Sequence, residues 1–219
     1  MLSSSTSQLQ AFSITTSLVA SGGIAALSLF DVPILSAQPA SRSLPSIRWL
    51  FSRGSHIFPT AAFASAAGFT ALAYSSIPVA SRTFLQLLKL GSNGPTVGGY
   101  TLAAALCVSI GPITQTMIPT NFKLIKLNEA KGGSRSAEGH EASKRYPSGR
   151  RSAADSVAGR GEGAEFTDLS GPLTKTPSDT SDAEDAEVRR LLSKFEKLNL
   201  VRAFVIGLGG VVGLVTALA

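Results

Sequence analysis

The charges in this chain are segregated, and that constrains its fold more than any other feature of the sequence. Of its 14 acidic residues, 13 lie between Phe122 and Lys197, as do 14 of its 20 Lys and Arg. Residues 1–30, 54–81 and 90–122 carry no Asp, Glu, Lys or Arg, and His56 is the one imidazole among them. A water-soluble domain needs polar side chains to clothe its surface, and these runs supply too few. They are instead long enough for membrane spans, since about 20 apolar residues cross roughly 30 Å of hydrocarbon. With 219 residues the chain has room for one ordinary soluble domain or a handful of spans. The segregation excludes the soluble globule.

Four spans are predicted, at about 9–35, 54–77, 96–118 and 198–219. All are rich in Ala, Gly, Ser and Thr. Lipid is as apolar as Leu, so helices associate in membranes through close backbone approach and polar contacts, and small residues mark the touching faces. Ala61, Ala64 and Gly68 form one such stripe, and Gly209 with Gly213 another. The predicted fold is all-α: an integral membrane four-helix bundle with a long disordered loop between helices 3 and 4. Residues 1–130 hold the first three spans, 131–183 the loop, and 184–219 an amphipathic helix leading into span four.

No Lys or Arg precedes Arg42, so the basic region of a cleaved signal peptide is missing and the first segment reads as a retained span. Basic residues crowd the first and third loops, which places those loops in the cytosol and both termini on the far side. A multi-pass protein of the endoplasmic reticulum or another endomembrane is expected. The 131–183 stretch is rich in Gly, Ser, Arg, Glu and Asp and cannot offset its chain entropy by apolar burial, hence the expectation of disorder. It reads as a solvated insertion, with no nucleic-acid partner. After it, Val188, Leu191, Leu192, Phe195 and Leu198 recur at helical spacing between basic residues, a pattern suited to the headgroup layer.

One cysteine and two histidines exclude a disulfide framework and make a metal cage improbable; no metal site is expected. No phosphate-binding glycine loop or HExxH motif is present. Polar groups recur instead where spans begin or end. Asp31 closes span one and His56 opens span two. Thr114 and Asn121 close span three, and Asn199 with Arg202 open span four, three residues apart on one helix face. In an alternating bundle all these ends share one side of the membrane, so a polar pocket is expected there.

Thr114-x-x-x-x-Pro119-Thr120-Asn121-x-x-Leu124, followed by Leu198-Asn199-x-x-Arg202 opening a glycine-rich span, resembles the anthrone oxygenase-like membrane proteins of fungal polyketide pathways. The resemblance implies an oxygenase that needs no cofactor and converts an anthrone to an anthraquinone with dioxygen. An anthrone enolate is electron-rich enough to reduce dioxygen directly. Its enzyme needs a base, a partner for the oxyanion and an apolar slot for the rings. His56 or Asp31 is the candidate base, with Arg202 as the third catalytic candidate. Asn121, Asn199 and Thr114 are candidate substrate contacts. The implied partners are the aromatic substrate, dioxygen, the bilayer and other pathway enzymes. The competing reading is a non-catalytic four-span scaffold for such enzymes. A transporter is disfavoured, since four spans are few and the halves show no inverted repeat.

Overall fold

Every predicted span lies in a helix, but the helices outrun the spans. The structure, a computed structural model, describes residues 4–89, 93–144 and 167–219. Four helical stretches are long and apolar enough to cross a membrane: Ser5–Ser36, Ala40–Ser76, Pro95–Ala130 and Asp182–Leu218. At 1.5 Å per residue they run about 48 to 56 Å, well beyond the roughly 30 Å of a hydrocarbon core. This is a multi-pass, all-helical membrane protein.

The elements are α1 (Ser4–Ala26), a π-helical turn (Leu27–Asp31), α2 (Val32–Ser36), α3 (Ala40–Ser76), a short 3-10 turn (Val79–Ser81), α4 (Phe84–Leu87), α5 (Pro95–Val108), α6 (Ile110–Ala130), α7 (Ala137–Lys144) and α8 (Asp182–Leu218). Pro59 does not interrupt α3. Pro112 does mark an interruption. Proline lacks an amide and its ring crowds the carbonyl four residues earlier, here that of Val108, where α5 ends and Ser109 separates it from α6.

The chain forms two compact units. The first comprises residues 1–26, 57–115 and 199–219, and of the chain's charged residues it holds only Arg82, Lys89 and Arg202. Its helical segments 4–26, 57–76, 95–115 and 199–218 are each close to the 20 or so residues that cross hydrocarbon. One apolar cluster joins Phe69, Leu72, Ile77, Val97, Tyr100 and Cys107, and another joins Ile24, Ala62, Ile110, Ala203 and Ile206. Close approach depends on the absence of side chains. A Cβ on Gly213 would meet the Phe69 ring, and one on Gly209 would meet Ala103 O and Cys107 Sγ. In the predicted Ala61-Ala64-Gly68 stripe, Gly68 is buried against Ser13, whereas the fully covered face runs through Ala62, Ala66, Phe69 and Ala73.

The second unit, residues 27–56 and 116–198, carries the remaining charge and a core of its own. Val32, Leu35, Leu44, Ile47, Met117, Leu124, Val188, Leu191, Leu192 and Phe195 are buried together, with Phe51 edge-on to Phe195 at 5.0 Å. This corrects the headgroup-layer reading of the amphipathic segment: its apolar face is core, and it continues into the last span as one helix, α8. Ser181 and Glu184 start that helix with reciprocal side-chain-to-amide hydrogen bonds.

Residues 145–166, the middle of the loop expected to be disordered, lie outside the described residues. Its two described ends make specific polar contacts, which offset chain entropy where apolar burial is scarce. Asp168 is the hub. Its carboxylate accepts from the Ser170 amide at 3.0 Å, from the Ser170 hydroxyl at 2.6 Å and from the Ser136 hydroxyl. Arg53 and Arg135 lie 3.9 and 3.8 Å away. The Trp49 indole and Arg53 donate to the Ser170 carbonyl. Further along, the Thr176 amide donates to Ser41 O, while Asp185 accepts from the Ala40 amide at the start of α3. Burial disfavours the Asp168 charge, but the Ser136 and Ser170 hydrogen bonds and Arg53 outweigh it and hold the carboxyl below its ordinary value.

A carboxyl with a lowered folded-state pKa contributes stability that is complete above its unfolded value and is lost as pH falls through the folded one. Asp168→Asn is therefore expected to cost about 2 kcal/mol at pH 7. It should also flatten the loss of stability below about pH 4, the ordinary range of an aspartate. Thermal unfolding followed by Trp49 fluorescence reads both. In the same variant trypsin should gain access to Arg135, which is 1% exposed in the native chain. Equal cleavage after Arg135 in both proteins would contradict the clasp.

Candidate functional site

In the first unit α1 and α8 run antiparallel along a seam of small residues. Gly210 faces the Ser17 hydroxyl and Gly207 the Ser21 hydroxyl, where an added Cβ would sit 2.6 Å from either oxygen. Ser21 Oγ donates to Ala203 O at 2.7 Å. One turn further, Asn199 Nδ2 donates to Ile24 O at 3.2 Å. The contacts step in threes and fours on both helices, as two facing helical stripes must.

The seam buries a cation. Asn199 is 1% exposed and Arg202 is 8% exposed. Arg202 Nη1 donates to Asn199 Oδ1 at 3.1 Å, so the amide links the guanidinium of α8 to the backbone of α1. The next residue, Ala203, belongs to the apolar cluster with Ala20, Ile24, Ala62, Ile110 and Ile206, against which Phe58 and Ala61 pack. Charge interactions are stronger in such low-dielectric surroundings than in water.

The sequence-predicted residues fall in both units. Thr114 belongs to the first, half-buried, with its hydroxyl donating to Ile110 O of its own helix at 2.7 Å. In the second, Asp31 ends the π-helical turn, exposed, and caps no amide. His56 is half-buried on α3. Asn121 is half-buried on α6, and its Oδ1 is a buried acceptor with no hydrogen-bond partner among the described residues. Of the six, the structure joins Asn199 and Arg202 directly. Among the described residues no three His, Cys, Asp or Glu side chains come together as a metal would need.

Sequence reading missed the clasp of Trp49, Arg53, Arg135, Ser136, Asp168 and Ser170. One local signal was available. Asp168-Leu169-Ser170-Gly171-Pro172 is a turn sequence, and the Asp168 carboxylate does accept the amide two residues on. Nothing local pointed to Arg53 or Arg135 as its partners.

A family model described as anthrone oxygenase matches residues 48–151. Over that stretch, a little under half of its length, the chain is similar to anthrone oxygenases. The matched residues include His56, Thr114 and Asn121, while Asp31, Asn199 and Arg202 lie outside them. No curated protein and no solved structure matches the chain. The match supports a family-level, oxygenase-type role, and the four long apolar helices support a multi-pass membrane protein.

The seam makes a sharp expectation. Gly207→Ala places a Cβ against Ser21 and should destabilise the protein by about 1–3 kcal/mol. Adding Ser21→Ala removes the obstructing oxygen and should recover most of the loss, read as thermal unfolding in detergent. Equal stabilities for the native protein and the single variant would mean that α1 and α8 do not meet there.

Proposed function

We propose that this protein is an anthrone oxygenase acting in polyketide secondary metabolism, converting an anthrone to an anthraquinone with dioxygen. The observation that carries the proposal is the buried Arg202–Asn199 pair in a unit with almost no other charge. The family match over residues 48–151 supports the reaction class.

The chemistry needs little from the protein, but what it needs is specific. Removing a proton from the anthrone methylene gives an enolate whose negative charge sits on the carbonyl oxygen and the ring carbon. The enolate transfers one electron to dioxygen, and the carbon radical and superoxide combine into a peroxide on the former methylene carbon. Loss of water from the protonated peroxide leaves the second carbonyl. One oxygen atom enters the product, the other leaves as water, and the four electrons come from the anthrone. The proposed role of Arg202 is to hold the enolate oxygen, with Asn199 fixing the guanidinium. An apolar setting gives such a contact its value, because water would screen it. His56 and Asp31 stay candidates for the base from the sequence alone. Thr114, in the same unit as Arg202, is assigned to a substrate contact, and Asn121 stays a candidate contact from the sequence alone. Association with other pathway enzymes at an endomembrane belongs to the same proposal.

Arg202→Met keeps length and apolar character and removes the charge. Loss of oxyanion stabilisation should lower the rate of anthrone oxidation about a hundredfold, as for one oxyanion-hole donor. The rate is measured above spontaneous air oxidation, in membranes with matched expression. Full activity in the variant would overturn the role of Arg202. A native protein inactive on every anthrone, but required with its 131–183 stretch for a pathway complex, would favour the scaffold reading.

A further inference from the structure

The turn between the second and third spans exposes more apolar surface than an aqueous hairpin should. Between α5 and the C-terminal end of α3, within the first unit, Val79, Phe84, Leu85 and Leu88 are 80, 69, 72 and 78% exposed. A stretch facing water would favour polar side chains here, because contiguous exposed apolar patches mark binding surfaces.

The turn is also held so that these side chains stay outside. Leu87 is buried in the cluster with Leu72, Ile77 and Val97, which fixes the inner face of α4. Arg82 donates from Nε to Ile77 O and from Nη2 to Ser75 O, closing the end of α3, and its guanidinium lies over the Tyr74 ring. That ring stacks on Phe84 with centroids 4.6 Å apart. Asn93 Nδ2 donates to Gln86 O at 2.6 Å and closes the far side. With Leu87 inward and both ends tied, the four exposed side chains cannot fold into the unit.

Two cations, Arg82 and Lys89, border the apolar face, and the sequence holds no acidic residue between Asp31 and Glu129. The turn joins two helices that cross the membrane, so it is tethered to the membrane surface by a few residues on either side. We propose that residues 79–89 form an interfacial anchor whose Val79, Phe84, Leu85 and Leu88 enter the headgroup–acyl boundary, with Arg82 and Lys89 level with the lipid phosphates. Apolar face and flanking cations are what such a segment requires. The anchor fixes the depth at which the second and third spans sit, whatever reaction the protein performs.

The test places a nitroxide on Leu85→Cys and, separately, on Leu88→Cys, in the full chain with buried Cys107 replaced by Ala. Each protein is held as a single copy in a phosphatidylcholine–phosphatidylglycerol nanodisc. Collisions with oxygen, which concentrates in lipid, are compared with collisions with a water-soluble nickel chelate. At positions 85 and 88 oxygen should dominate, with a ratio several-fold above that of a label on Asp179→Cys, an exposed residue of the second unit. Dominant nickel-chelate collisions at 85 and 88 would overturn the proposal. A surface reserved for a protein partner or a second copy would give that result, since neither is in the disc.

Discussion

An arginine in a membrane-spanning helix must receive hydrogen-bond acceptors from its own protein, because lipid offers none. Arg202 obtains one from Asn199, and Asn199 is itself tied to the Ile24 carbonyl on another helix. That link forms only if α1 and α8 approach closely, and the approach depends on glycines where any side chain would collide with Ser17 or Ser21. The small residues of the seam and the buried cation are thus parts of one arrangement. Enlarging the first would pull the second from its acceptor.

The division of the chain follows from the same cost of placing charge in hydrocarbon. Three charged residues occur in the first unit and all the others in the second. The four spans were therefore legible in the sequence: each uncharged run falls on one of the four long apolar helices, and the glycines and serines announce close packing. The core of the second unit was not legible. Leu44 and Ile47, Met117 and Leu124, and Leu191 and Phe195 come from three separate stretches, each of which reads alone as the end of a span or an amphipathic appendage. Only tertiary pairing turns these half-patterns into a core. Asp168 illustrates a further limit, since its turn can be read from Ser170, Gly171 and Pro172, but its pairing with Arg53, 115 residues away, cannot.

The candidate site divides in the same way. Asn199 and Arg202 could be paired from their spacing alone, because residues three apart on a helix share a face. The acceptor on α1 could not, as a backbone carbonyl carries no sequence signature. For Asp31 the position at a span end was readable, but its exposure was not, because exposure depends on which face of the π-helical turn the rest of the chain covers. Asn121 stood out by its place after Pro119 and Thr120, and the structure adds an acceptor there with no hydrogen-bond partner among the described residues.

The proposed reaction turns on Arg202 as a positive, low-dielectric partner for an aromatic oxyanion. The most direct measurement is the ionisation of a hydroxyanthraquinone bound to the protein in detergent or nanodiscs, followed by the red shift of its phenolate absorption. The bound phenol should ionise at a lower pH than the free compound, and Arg202→Met should abolish the shift while the compound still binds. A bound phenol that titrates like the free one in the native protein, or a shift unchanged in the variant, would contradict it.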